Sequence, residues 1–301
     1  MTNNYCGSDT MVKTWALVLG GGGAKGAYQV GAWKALREYG LDKKITSVAG
    51  TSVGGLNTAL FLQGDWDLAK EIWGKVDNNS ILVLDKSKHL DYLKELKLKR
   101  LFTDGVFSNQ GLLKMIRSHV NFDKISSSDV IAYVTCSKMP RLSLGKILKR
   151  SLEPTYFRLN GQSPEKIVSI LLASSAIPFI FDPVTIEGSN YIDGGAADNL
   201  PILPLYNMGY RRFIVINLDK AQRVPREKFR DADIIEVMPD QTMAESISGV
   251  LDFTPPSIQA HIEEGYADTI LTLSGRFTLP SKGRAFTGLR QLLSGGKTSG
   301  M

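Results

Sequence analysis

The stretch Gly50-Thr51-Ser52-Val53-Gly54 sits between an apolar run, Ile45 to Ala49, and a helix-forming run, Leu56-Asn57-Thr58-Ala59-Leu60-Phe61-Leu62. Read outward from the serine, this is strand, sharp turn and helix, the context in which a G-x-S-x-G frame makes a nucleophile elbow. The requirement is steric. A side chain held at the tip of so tight a turn needs neighbours without Cβ, because strand and helix backbones nearly touch there. Gly50 and Gly54 meet it, Gly55 adds room, and Thr51 and Val53 flank the serine. A five-residue pattern also recurs by chance as an ordinary Gly/Ser loop, so other residues must decide its meaning.

Upstream, Trp15-Ala16-Leu17-Val18-Leu19 reads as a fully buried strand, and Ala27 to Tyr39 has helical apolar spacing through Val30, Trp33, Ala35 and Leu36 until Gly40 stops it. Between them runs Gly20-Gly21-Gly22-Gly23-Ala24-Lys25-Gly26. Consecutive amides at a helix N-terminus stabilise negative charge, and two chemistries use such a place. One is dinucleotide binding, for which Gly21, Gly23 and Gly26 match G-x-G-x-x-G, with Glu38 or Asp42 as the ribose acid. The other is an oxyanion hole, in which the Gly22 and Gly23 amides meet the negative oxygen formed when an ester carbonyl is attacked. A P-loop does not fit, because Lys25 precedes Gly26 instead of following it. The elbow favours the oxyanion reading: in a parallel sheet both turns open into the same crevice at the C-terminal edge.

A serine hydroxyl needs a base. His89 lies in a lysine-rich segment and His119 ends an amphipathic helix, so both read as structural. His261 follows Ser52 and Asp193 in the chain order of a hydrolase triad, yet Gln259-Ala260-His261-Ile262-Glu263-Glu264 reads as mid-helix. Asp193 is the better candidate. Tyr191-Ile192 ends a strand, and Gly194-Gly195 allows a tight turn that faces the carboxylate toward the crevice. Locally, the same aspartate also reads as an ordinary Asx cap.

The remaining pattern alternates strands and helices, with strands expected at Ile131 to Cys136, Tyr156 to Leu159, Val184 to Ile186, Asn190 to Asp193, Phe213 to Asn217 and Ile234 to Val237. Helices are expected at Asn109 to His119, Pro164 to Ser174, Ile202 to Met208 and Ile258 to Leu273. This predicts an α/β fold, a three-layer α/β/α sandwich on a mostly parallel central sheet. With 301 residues, 43% of them hydrophobic, one large domain over 13–280 is expected, with a tail at 1–12, a C-terminal tail at 281–301 and a lid or insertion near 75–107.

The net charge of +6 implies a mild preference for anionic partners. Lysines and leucines interleave over 86–100: such a basic amphipathic helix either lies on an anionic membrane surface or packs on the domain by its leucines. Met1 to Thr10 lacks the pattern of a signal peptide, and the low-charge run Ile167 to Phe181 is too short to span a bilayer. Cys6 and Cys136 imply neither a disulfide framework nor a thiolate metal site, so a reducing cytoplasm is the expected compartment, with peripheral membrane contact at most. No metal, cofactor or nucleic acid is expected.

Together, three ordered motifs resemble the patatin-like phospholipases, lipid acyl hydrolases that use a Ser-Asp dyad. Gly21-Gly22-Gly23-Ala24-Lys25-Gly26 is similar to their oxyanion loop, Gly50-Thr51-Ser52-Val53-Gly54 to their elbow, and Asp193-Gly194-Gly195 to their Asp-Gly-Gly/Ala turn. Ala173-Ser174-Ser175-Ala176-Ile177-Pro178-Phe179 and Asn199-Leu200-Pro201 also look like the family's segments on either side of that turn. Gly20 departs from the family, whose loop often begins with aspartate, and the match loosens beyond Leu218. The resemblance implies that Ser52 is the nucleophile, Asp193 the base, Gly22 and Gly23 the oxyanion hole, and a lipid ester the substrate. Lys25 is expected to be solvated or paired with a loop carboxylate, and Asn57 to pack or hydrogen-bond behind the site. A nucleotide-binding oxidoreductase and a catalytically silent lipid-binding protein on this fold remain the alternatives.

Overall fold

A computed structural model describes residues 14–81, 83–84, 107–140, 152–178, 180–239 and 250–279. The expected tails, the basic segment 86–100 with His89, and all of the expected lid from 85 to 106 lie outside the described residues, as do Cys6 and Phe179.

The chain runs β1 (Trp15–Leu19), α1 (Ala27–Glu38), β2 (Ile45–Thr51), α2 (Val53–Leu62), α3 (Trp66–Lys75), α4 (Asn78–Ile81), β3 (Val83–Leu84), β4 (Phe107–Ser108), α5 (Gln110–His119) and α6 (Phe122–Ser126). It continues through β5 (Ile131–Lys138), β6 (Glu153–Arg158), α7 (Pro164–Ser174), β7 (Val184–Ile186), β8 (Ser189–Asp193), α8 (Leu203–Asn207), β9 (Arg212–Ile216), β10 (Asp233–Val237) and α9 (Pro255–Ser274). The expected elements are present, with ends moved by at most three residues. Three helices, α3, α4 and α6, are not among those expected, and α3 starts where the Asp65 carboxylate accepts from the Leu68 amide. The helix after the elbow begins at Val53, three residues before the first expected one. Pro164 opens α7 behind a Ser163 hydroxyl that accepts from the Lys166 amide.

The main sheet has the order β10-β9-β1-β2-β5-β8-β7, with β6 also paired to β5. The five strands from β10 to β5 are parallel, and β6, β7 and β8 join antiparallel. Side chains alternate between two cores, as strand geometry demands: Trp15, Leu17 and Leu19 face the larger, Ala16 and Val18 the smaller. Helices α1, α2, α7 and α9 pack the larger face, whereas α8 and the segment around Phe229 cover the other. All five β1 residues are buried, as expected for a strand with both faces covered.

One detail of this sheet positions the site. Along one edge of β5, β2 runs parallel until Thr51 stands opposite Thr135. The other edge is occupied by β6 as far as Lys138. Strand β8 therefore takes up the edge that β2 leaves, running antiparallel with Asp193 opposite Cys136. The two strands meet head to head, and their last side chains are brought together.

Candidate active site

Ser52 lies between β2 and α2 with φ 56° and ψ −127°, one of two non-glycine residues at positive φ among those described. Such a conformation costs on the order of 1–3 kcal/mol and persists only where its surroundings enforce it. The Ser52 amide donates to Ser174 Oγ at 2.9 Å, and Ser174 Oγ donates to the Thr135 carbonyl at 2.7 Å. The Ser52 carbonyl accepts the amides of Gly55 and Leu56 at 2.8 and 3.2 Å. Crowding explains the glycine after the serine: a Cβ on Gly54 would stand 2.1 Å from the Leu19 carbonyl oxygen.

The Ser52 hydroxyl donates to Asp193 Oδ2 at 2.5 Å, and the Gly195 amide donates to Asp193 Oδ1 at 2.7 Å. Both side chains are buried, Ser52 6% and Asp193 7% exposed. Burial pushes the Asp193 carboxyl up to about 6, against the downward pull of the Ser52 and Gly195 hydrogen bonds. A carboxylate of that pKa is still roughly 90% ionised at pH 7, and it is a much better base than an exposed aspartate. Beneath it, the Ser137 hydroxyl donates to the Asp193 carbonyl at 2.7 Å, and the Asp193 amide donates to the Ala176 carbonyl at 2.9 Å.

The glycine loop leaves β1 beside the elbow. The Gly20 amide is taken by the Ile216 carbonyl at 3.0 Å and the Gly21 amide by Asn199 Oδ1 at 2.9 Å. Among the described residues no acceptor is bonded to the amides of Gly22 and Gly23, which line the same crevice as Ser52 and Asp193. Gly23 has φ +58°, and a Cβ there would stand 2.1 Å from the Val250 carbonyl oxygen. Ala24 and Gly26 are buried in the short turn that leads into α1, and Thr51 Oγ1 ties the elbow to the Asp198 carbonyl at 2.9 Å. Gly194 packs against the Thr135 carbonyl of β5.

Ser52 lies where two spaces meet. On one side is an apolar cavity of about 80 Å³, walled by Val53, Leu56, Leu60, Trp73, Leu112 and Phe181. On the other is an open crevice of about 480 Å³ with Gly22, Gly23, Lys25, Asp193 and Asn199 on its walls. The arrangement can hold an apolar chain beside a hydroxyl that is hydrogen-bonded to a base, with two amides free to receive negative charge.

Lys25 departs from expectation. It is 6% exposed, on the crevice wall, and no carboxylate pairs with it among the described residues. His261 sits in α9, 3.4 Å from Ser257 Oγ and 3.9 Å from a Glu264 carboxylate oxygen, and borders neither space beside Ser52. Burial, with the Lys25 charge adding to it, holds its imidazole below the usual range. His119 Nδ1 lies 3.0 Å from the Met115 carbonyl. The candidate ribose acids also fall away from the loop. Asp42 lies in the turn before β2, and Glu38, at the far end of α1, accepts from the Tyr266 hydroxyl. Both stand at the N-terminal edge of the sheet, opposite the crevice.

Residues 17–206 match the sequence profile described as patatin-like phospholipase, more than half of the chain. The chain belongs to the patatin-like phospholipase family. Among relatives, it is 29% identical over 209 residues to the neuropathy target esterase sws of Drosophila melanogaster, covering 67% of this chain and 13% of that protein. It is 30% identical over 199 residues to the lysophospholipase nte1 of Aspergillus terreus, covering 64% of this chain and 11% of that protein. An uncharacterized NTE family protein of Mycobacterium bovis is 26% identical over 220 residues, 72% of this chain and 52% of that one. The chain thus spans only part of the length of these relatives. In fold it is similar to human GIVD cytosolic phospholipase A2, at TM-score 0.53 and 11% identity over 88% of this chain and 62% of that one. VipD from Legionella pneumophila is similar at TM-score 0.51 and 17% identity, over 87% and 67% of the two chains. The fold shared with these neighbours is patatin-like, and in this chain it is built on a mixed eight-stranded sheet packed by helices.

Sequence reasoning did not assign the supports of the site: Ser174, Asn199 and Gln29. The first two were visible only as parts of family-like segments. Gln29 had a signal of its own, a polar residue between Tyr28 and Val30 in a helix whose first seven residues are all buried.

Proposed function

We propose that this protein is a serine lipid acyl hydrolase that cleaves carboxylic ester bonds of phospholipids, lysophospholipids or related lipid esters through a Ser52-Asp193 dyad and an acyl-enzyme. The observation that carries this reading is the 2.5 Å hydrogen bond from Ser52 Oγ to a buried carboxylate, at the mouth of an apolar cavity. Membership of the family and the lysophospholipase name of one relative support the choice of lipid esters.

Ser52 Oγ attacks the ester carbonyl carbon while its proton passes to Asp193 Oδ2, and the resulting oxyanion is held by the Gly22 and Gly23 amides. The tetrahedral centre collapses, the C–O bond to the leaving alcohol breaks, and the alcohol takes the proton from Asp193. Asp193 then removes a proton from water, which attacks the acyl-enzyme carbonyl; as the C–O bond to Ser52 breaks, Asp193 returns the proton to Ser52 Oγ and the fatty acid leaves. The acyl chain lies in the apolar cavity and the leaving group in the crevice. A raised carboxyl suits both halves, since it must accept a proton and then return it.

Labelling with an alkyl fluorophosphonate, paired with product analysis on a panel of phospholipids, lysophospholipids and neutral esters, tests the reading. Ser52 is expected to be labelled, and Ser52→Ala to lose labelling and turnover with its melting midpoint preserved. Turnover retained by Ser52→Ala overturns it, and so does vesicle binding by a wild type that neither labels nor hydrolyses.

A further inference from the structure

The ends of the glycine loop are held by buried side chains outside the crevice, and their hydrogen bonds form one directed chain. Trp73 Nε1 donates to Asn57 Oδ1 at 2.9 Å. An indole N–H can only donate, so it fixes which end of the Asn57 amide faces it. Both Asn57 N–H groups must then point the other way. They donate to the Gly26 carbonyl at 2.9 Å and to Gln29 Oε1 at 2.8 Å. That acceptance fixes the Gln29 amide in turn, and its Nε2 donates to the Gly20 carbonyl at 2.7 Å. The two carbonyls that bracket the loop, Gly20 and Gly26, are thereby anchored to α1 and α2 through three side chains, all 6% exposed or less.

We propose that Gln29, oriented by Asn57 and Trp73, is a positioning residue that holds the Gly20 to Gly26 loop with its Gly22 and Gly23 amides aimed at the reacting oxygen. The inference rests on the dyad reading above and deepens it. The physical reason for such a chain lies in the sequence of the loop. Four consecutive glycines have the greatest conformational freedom of any tetrapeptide, and amides that must reorganise during the reaction stabilise an oxyanion poorly. The network has one low-energy arrangement, because flipping either amide would set donor against donor and acceptor against acceptor in a desolvated place. Asn57 and Trp73 also wall the apolar cavity, so the frame of the loop and the proposed acyl site share a surface. Gln29 borders neither space beside Ser52 and is the member whose change leaves the substrate's surroundings intact.

The test compares wild type with Gln29→Met, which keeps most of the side-chain volume and removes both hydrogen-bonding ends. Three quantities are measured: kcat and KM on a lysophospholipid, inhibition by an alkyl trifluoromethyl ketone, and binding of a non-hydrolysable ether lysophospholipid. The ketone forms a tetrahedral adduct with a serine, so its affinity reports the oxyanion site. Ether-lipid binding reports the ground state. For Gln29→Met the expectation is a 10- to 100-fold lower kcat and a matching loss of ketone affinity, with KM and ether-lipid affinity within about threefold of wild type. Should Gln29→Met not fold, Gln29→Asn keeps an amide but is one methylene too short to reach both Asn57 and the Gly20 carbonyl, and the same pattern is expected at three- to tenfold. Unchanged kcat, or a fall in kcat without a loss of ketone affinity, overturns the positioning role. Absence of fluorophosphonate labelling at Ser52 in the wild type overturns the dyad reading itself, which separates the two failures.

Discussion

Replacing Asp193 by asparagine should make the protein more stable and inactive together. The carboxyl is raised from 3.8 to about 6, mainly by burial. A folded-state pKa above the unfolded one means that the folded chain binds more protons between those two values, so wild-type stability falls as pH rises through that window. The full penalty is present above about pH 6, and at roughly 1.4 kcal/mol per tenfold it amounts to about 3 kcal/mol. Asparagine carries no charge to desolvate. Its side-chain oxygen can still accept from the Gly195 amide and its Nδ2 can donate to Ser52 Oγ, so the packing survives. The variant should therefore match the wild type near pH 4 and exceed it by about 3 kcal/mol at pH 7, roughly 5–10 °C in melting midpoint. Urea unfolding of both proteins at several pH values between 4 and 8 measures this, and lipid hydrolysis should fall at least about a thousandfold from loss of the base. Equal stability at pH 7, or a gap that does not change between pH 4 and pH 7, would refute the idea that burial holds this carboxyl in a costly ionised state.

With Asp193 as the proposed base, kcat/KM should drop tenfold per pH unit below about 6 and level off above it, and a profile flat down to pH 4.5 would exclude that role. Gly54→Ala places a methyl 2.1 Å from the Leu19 carbonyl oxygen, which β1 cannot move cheaply, so a loss of more than about 3 kcal/mol in thermal unfolding is expected. Leu56→Trp fills the apolar cavity beside Ser52. If three or four methylenes are excluded at about 0.8 kcal/mol each, kcat/KM on long-chain esters should fall roughly 100-fold while short-chain esters are spared.

The local signals were sufficient for most of the elements. Short apolar runs located β1 and β2 and helical spacing located α1, because a run bounded by turn residues and a period near 3.6 are written directly in residue order. The residue types of the candidate site were equally plain: a serine between glycines, an aspartate before a glycine pair, and a glycine run before a helix. Helix α3 escaped because its stripe is carried by Trp66, Ala69, Ile72 and Trp73 among charges, and its start is marked by Asp65 alone.

What the sequence determined by itself was therefore the set of chemical parts and the strands and turns that carry them. It could not bring Ser52 within 2.5 Å of Asp193, 141 positions away. That proximity depends on β6 occupying one edge of β5, so that the antiparallel β8 must end where the parallel β2 ends. Nor could it raise the Asp193 carboxyl, show that Lys25 is buried with no carboxylate partner among the described residues, or orient Gln29 through Asn57 and Trp73. Each of these follows from neighbours distant in the chain: desolvation, pairing and hydrogen-bond direction are properties of the packed surroundings, and residue order fixes them only through the fold.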